Sequence, residues 1–243
     1  MKHVSPLPSV SAAPALSRNE PRREGIGEAA AGIARELRQP LLAISSAAQL
    51  LRFRVADDPV VEKNVGRILR EVERLNAFSA ALLDYASADM LQLAPADPDT
   101  LWDEVLDAER GRLESRALLL QRTRAEPAAQ CLVDATPVRR LFTELLENAV
   151  EAAPEGSDLT LDASVTDGSW CCRLRNGGAA LAPEVLAHAF DLFFSARPGS
   201  AGIGLALAQR IAEDHGGSLA LHSDAGGTTA TLTLPATPRQ GDA

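Results

Sequence analysis

Cysteine is scarce in this chain: among 243 residues it occurs only as Cys131, Cys171 and Cys172. That odd number has no metal-ligand spacing, and the three read as small buried apolar residues of a reducing compartment. Long apolar runs are missing as well. No stretch approaches the ~20 residues that span a bilayer, and the N-terminus has no signal-peptide core. The expectation is a soluble, cytoplasmic protein with no membrane partner. Basic residues are outnumbered, 24 against 33 acidic, for a net charge of −9. A phosphate backbone calls for a basic face, so nucleic acid is not the expected partner. Histidine occurs four times, at His3, His188, His215 and His222, and never between residues 24 and 90.

What is present is an ordinary globular composition, 46% hydrophobic and 23% charged, in a chain long enough for one large domain or two small ones. Residues 1–23 mix Pro, Ser and Ala, end in Arg22-Arg23 and read as a disordered tail. Over 24–90 the pattern becomes helical. Ala30, Ile33, Leu37, Pro40, Ile44, Ala47 and Leu51 alternate steps of three and four, a heptad seam. After Asp57-Asp58-Pro59 the seam resumes as Val61, Val65, Ile68, Val72, Leu75, Ser79 and Leu82. Two such helices joined by a short loop make an antiparallel hairpin. A hairpin alone has too few layers to bury both seams, so pairing with a second copy into a four-helix bundle is expected; the alternative is packing on its own C-terminal domain. Pro40 lies inside the first helix, where it removes one backbone bond. Arg35, Glu36 and Gln39, just before it, fall toward solvent.

Asp97-Pro98-Asp99 reads as a linker, and residues 97–236 as an α/β domain followed by a short tail, 237–243. The domain is read as a helix over Leu101–Glu114, short strands at Leu118–Leu120 and Cys131–Val133, and a helix capped by Thr136 with Pro137 at its first position. A hairpin of Leu159–Val165 and Trp170–Leu174 turns at Asp167-Gly168, and the last strands, Ser218–His222 and Thr228–Leu234, flank Gly226-Gly227. One mixed sheet with helices on one face follows.

The most informative stretch is Phe190–Gly217. Apolar bulk (Phe190, Leu192, Phe193, Phe194) precedes a polar loop with Arg197, Pro198, Gly199 and Ser200, then Gly202-Ile203-Gly204. From Leu205 the apolar residues recur at helical spacing until Gly216-Gly217. A glycine loop delivered onto a helix N-terminus offers free N–H groups and a positive dipole end, which suits polyphosphate. In the preceding helix Glu144 and Asn148, four apart, share one face. A carboxamide oxygen there can ligate a Mg²⁺ held by nucleotide phosphates, and a carboxylate one turn earlier can orient or deprotonate a nucleophile.

Taken in order, residues 25–236 resemble the bacterial two-component sensor histidine kinases. LLENAVEA looks like the family's N box, with Asn148 as the Mg²⁺ ligand. Asn176–Leu181, including Gly178, sits where the first glycine box is expected, and FDLFF resembles the F box. Gly202-Ile203-Gly204-Leu205 matches the second glycine box, and Gly226-Gly227-Thr228 the last. The resemblance implies a dimerisation hairpin followed by the α/β sandwich ATPase domain shared with gyrase and Hsp90-type chaperones. It also implies ATP and Mg²⁺ as ligands, with Asn148, Asn176, Gly178, Arg197, Gly202, Gly204, Leu205 and Thr228 toward the nucleotide. The implied partners are a response regulator receiver domain and a second chain, either a copy of this one or another histidine kinase.

Two departures shape the functional expectation. Asn176 stands where the family has Asp and Ala180 where it has a second glycine. Asn still accepts a hydrogen bond from an adenine amino group, without charge, whereas the Ala180 methyl is expected to crowd the pocket or shift the turn. In GEAAAGIARELRQPLLAI, Arg35 occupies the phosphoacceptor position. Guanidinium stays protonated and has no nucleophilic lone pair, so it cannot take the γ-phosphoryl group as imidazole does. Glu36, as the neighbouring base, and Gln39 remain; in the family an amide near the latter position orients water for dephosphorylation of the regulator. The expected function is a histidine-kinase-like signalling protein unable to phosphorylate itself at residue 35. The alternative is a non-catalytic dimeric scaffold, a pseudokinase with a structural or lost ATP site.

Overall fold

The computed structural model describes residues 20–55, 58–86, 91–197 and 202–237. The expectations for the terminal tails at 1–19 and 238–243, for the loop residues Pro198–Ser200, and for the side chains of Ala30 and Arg35 lie outside the described residues. Helix α1 spans Glu20–Arg54, beginning within the stretch read as a tail, and α2 spans Pro59–Ala86. Asp58 caps α2: its Oδ1 accepts from the Val60 and Val61 N–H groups at 2.8 and 3.3 Å, satisfying donors that a helix start leaves unpaired. The two helices form the expected hairpin.

The expected seam is mostly buried on α2, but on α1 the joining face is not the one the heptad count selects. Among the described residues of α1, Ala34, Leu41 and Ala48, seven apart, are buried, as are Val65, Val72, Ser79 and Leu82 of α2. Ile33, Ile44 and Leu51 of the expected α1 seam stay 55, 46 and 51% exposed. The reason is close approach. Small side chains at 34 and 48 let the helices touch, and the buried Ser79 hydroxyl donates to the Ala34 carbonyl at 2.7 Å. The bulkier stripe is left on another side of the hairpin.

The rest is a seven-stranded mixed sheet with helices against it. Its strands are β1 (Ala94–Ala96), β2 (Leu119–Thr123), β3 (Gln130–Val133), β4 (Asp158–Thr166), β5 (Ser169–Asn176), β6 (Ser218–Asp224) and β7 (Gly227–Thr237). The order is β1-β3-β7-β5-β4-β2, with β6 also on β7; every pair is antiparallel except β2 with β4. The β4–β5 turn falls where the sequence puts it, with Asp167 and Gly168 both at positive φ, as a two-residue hairpin turn requires.

Helices α3 (Pro98–Ala108), α4 (Arg110–Ser115), α5 (Ala135–Ala152), α6 (Pro183–Ala187) and α7 (Gly204–Asp214) complete the domain. The core lies between the sheet and α3, α5 and α7, where Trp102 stacks on Phe142 at 4.2 Å between ring centroids and Phe142 leans on Trp170.

Three local readings are corrected here. The Leu101–Glu114 segment is two helices, broken at Glu109. Asp134, not Thr136, caps α5, its Oδ1 accepting from the Thr136 N–H at 3.1 Å. The presumed linker Asp97-Pro98-Asp99 is built into the domain: Asp97 caps α3, and Asp99, only 3% exposed, accepts from Trp170 Nε1, the Ala125 N–H and Arg122. A buried carboxylate with three donors reads as a turn signal in sequence because its partners lie 23 or more residues away.

Candidate functional site

Helix α5 buries Val138, Leu141, Phe142, Leu145, Leu146, Ala149 and Val150, which turns Asn148 toward a pocket above the sheet. The pocket has two adjoining compartments. The first is walled by apolar side chains including Leu145, Leu174, Leu221 and Ala230, with Asn176 and Thr228 as polar groups. The second is lined by Phe194, Ser195, Gly202 and Gly204. Asn148, Arg197 and Leu205 line both, and Arg197 is the one cationic residue among the described lining residues.

Each polar group is fixed by a local bond. Asn148 Nδ2 donates to the Glu144 carbonyl at 2.8 Å, which leaves its Oδ1 as an acceptor. Asn176, the last residue of β5 and buried, donates through Nδ2 to the Gly177 carbonyl at 2.7 Å, so its Oδ1 is likewise the remaining acceptor. Thr228, its partner on β7, shares a hydrogen bond with Ser223 at 2.9 Å. Glu144 is 8% exposed and held by Arg140 at 2.7 Å. Its carboxylate abuts Gly204, where any β-carbon would collide with Oε2. The first residues of α7, Gly204 and Leu205, thus bring that helix's N-terminus to the pocket beside Asn148, where an anion is favoured.

The loop before α7 depends on Gly202. Its φ is 66°, a β-carbon there would strike the backbone of Phe193 and Phe194, and its carbonyl accepts from the Phe193 N–H at 2.8 Å. Phe193, itself at φ 68°, turns its ring onto Phe78 of α2 at 5.8 Å, which ties this loop to the hairpin. Arg197 pairs with Glu151 of α5, and its Nη2 lies 3.4 Å from the Asn148 carbonyl.

Not every expected residue converges here. Gly178 lines neither compartment; its φ of 132° lets the loop after β5 pass the end of α5, 3.1 Å from the Ala152 carbonyl on a hypothetical β-carbon. The crowding expected from Ala180 does not occur: its side chain is exposed, outside both compartments and without positive φ. Glu36 and Gln39 are exposed on α1, away from the pocket. Two residues that the sequence analysis does not single out belong beside the site. Glu151 lies three residues past Asn148 on α5. His215, just before the Gly216-Gly217 stop of α7, is buried. It bonds the Ile211 carbonyl through Nδ1 at 2.7 Å and accepts the Asp134 N–H through Nε2 at 3.0 Å, locking the end of α7 to the start of α5.

The donor set fits a hard cation carried by phosphates. It offers one neutral side-chain oxygen from Asn148 and a neighbouring carboxylate already engaged by arginine, and Mg²⁺ often keeps water and phosphate as its other ligands.

Comparison with known proteins gives consistent results. The family described as Histidine kinase-, DNA gyrase B-, and HSP90-like ATPase matches residues 133–238, and the His Kinase A (phospho-acceptor) domain matches residues 26–91. Sensor histidine kinase ZraS of Klebsiella oxytoca is 30% identical over 221 residues, which cover 89% of this chain and 47% of that protein. The chain spans about half the length, or less, of the curated relatives it matches. Full-length ShkA in complex with AMPPNP aligns with a TM-score of 0.71 at 24% identity, over 87% of this chain and 46% of that one. The histidine kinase ThkA in complex with response regulator protein TrrA aligns with a TM-score of 0.68 at 21% identity, over 92% of this chain and 65% of that one. At these identities the structural likeness speaks for the fold alone.

Proposed function

We propose, on the premise that the chain belongs to the histidine kinase family through its two matched domains, that it is a cytoplasmic two-component signalling protein that binds ATP–Mg²⁺ but does not phosphorylate itself at residue 35. The observation that carries the nucleotide reading is convergence: Asn148, Arg197 and the start of α7 meet at one pocket whose apolar compartment holds Asn176 and Thr228. The apolar compartment takes the base, and Asn176 Oδ1 accepts from the adenine amino group. The second compartment takes the phosphates, against Arg197 and the α7 N-terminus. Mg²⁺ would be held by Asn148 Oδ1 with the phosphates and would neutralise part of their charge. In this reading Glu144, held by Arg140 beside Gly204, orients an attacking group.

The hairpin supplies the other half of the reading. Arg35 is no acceptor, because its guanidinium stays protonated at neutral pH. Glu36 and Gln39 are exposed on α1, open to a docked response regulator, where Gln39 orients a water for dephosphorylation of the receiver domain. The exposed Ile33, Ile44 and Leu51 stripe is the face for a second chain, this one or another histidine kinase; in a mixed dimer the nucleotide domain serves the partner's histidine. A ThkA–regulator complex and a nucleotide complex of ShkA support these roles by analogy.

The test uses γ-labelled ATP with Mg²⁺ on the natural chain and on Arg35→His, beside binding calorimetry. Expected are nucleotide binding by both proteins and label on the histidine variant alone. Labelling of the natural chain refutes the role given to Arg35. Absence of binding in both proteins selects the scaffold reading.

A further inference from the structure

We infer that Glu151 and the phosphates of a bound nucleotide compete for Arg197, so that Glu151 tunes how strongly the site discriminates nucleotides by phosphate charge. This rests on the nucleotide reading above and adds a residue to it that does not line the pocket.

Arg197 is the one cation among the described lining residues of both compartments, so it is the protein's principal means of neutralising a polyphosphate there. In this structure its guanidinium is engaged by the Glu151 carboxylate, 46 residues away in sequence, with the Asn148 carbonyl as second neighbour. Glu151 follows Asn148 by three residues on α5, so both lie on neighbouring faces at the pocket's rim. The pair is half-exposed, 41% for Arg197 and 55% for Glu151. Solvated pairs of this kind are weak, so a phosphate group can displace the carboxylate at small cost.

The surroundings favour an exchange confined to side chains. The backbone at Arg197 is pinned by Ser195, whose Oγ accepts the Arg197 N–H and donates to the Arg197 carbonyl, both at 3.1 Å. Once released, Glu151 keeps a second positive charge nearby. Arg112 is bonded to Glu147 at 2.5 Å, and its guanidinium is held above its ordinary pKa by that bond, with the charges of Glu109 and Glu151 adding.

Calorimetry on the full chain with Mg²⁺ decides the matter, using AMPPNP, ADP, AMP and adenosine as probes. Glu151→Gln is expected to bind AMPPNP about 3- to 5-fold tighter, with a smaller gain for ADP and none for adenosine. Arg197→Gln is expected to bind AMPPNP about 10-fold more weakly. In the double variant the gain from Glu151→Gln shrinks to about 2-fold or less, because the competitor has nothing left to withhold. An unchanged or weaker affinity in Glu151→Gln overturns the inference alone. So does an equal gain with and without Arg197, which would mean a plain field effect, or a gain shared by adenosine. If the natural chain binds none of the probes, the nucleotide reading falls and this inference falls with it.

Discussion

Replacing Asp99 by alanine should destabilise the α/β domain more than any change at the pocket. The carboxylate is almost wholly buried on α3. Its Oδ2 accepts from Trp170 Nε1 at 3.1 Å and from the Ala125 N–H at 3.2 Å, and its Oδ1 pairs with Arg122 at 3.3 Å. Truncation leaves two buried neutral donors without partners, at about 1–3 kcal/mol each. The loss at Arg122 is partial, because that guanidinium keeps Asp103 and the Asp99 carbonyl. The sum, discounted for relaxation and water entry, is about 3–5 kcal/mol, a large share of the roughly 5–15 kcal/mol that stabilises an ordinary domain. Asp99→Asn is no rescue: every group facing the two oxygens is a donor, so the amide NH₂ must confront one of them. It should cost about 2–4 kcal/mol. The assay is urea unfolding followed by tryptophan emission. Both tryptophans, Trp102 and Trp170, lie in this domain, so the signal follows it without the hairpin. Asp103→Asn, at a half-exposed site, is the control and should cost under about 1 kcal/mol. A loss below about 1 kcal/mol for Asp99→Ala would refute the reasoning.

Gly204→Ala drives a methyl group into the Glu144 carboxylate and should weaken AMPPNP binding roughly 10-fold or more, by calorimetry, while the melting temperature falls by only a few degrees. Burial pushes the Cys131 thiol up to about 12 and Cys172 well above its ordinary value. In the folded protein at pH 8, iodoacetamide should therefore modify neither, and intact mass should show at most one adduct, on Cys171. The sign for stability is the same: the folded state holds the Cys131 proton more tightly, so stability is full below about pH 9 and declines as pH rises toward 12. Ser79→Ala removes the buried hydrogen bond to the Ala34 carbonyl and should cost the hairpin about 1 kcal/mol, measured as loss of helical circular dichroism in urea.

How much was legible beforehand depended on the range of the signal. The turn at Asp167-Gly168 was readable because it is set by residues adjacent in sequence. So were the glycine loop into α7 and the shared face of Glu144 and Asn148, fixed by helical periodicity and backbone freedom. The face by which α1 meets α2 was not, since two apolar stripes run along α1 and hydrophobicity alone does not choose between them. Ala34 and Ala48 decide it by allowing close approach, a matter of shape between helices.

The amino-acid sequence by itself determined the hairpin, the β4–β5 turn, the glycine-bounded loop and the polar residues of α5, because local backbone preference and periodicity need no distant partner. Only the tertiary structure decided that Asp134 caps α5, that Asp99 anchors the sheet to α3, that Ala180 stays clear of the pocket and that Arg197 is engaged by Glu151. Each of these is a contact across the fold whose energy exists only once the chain has brought both partners out of water together.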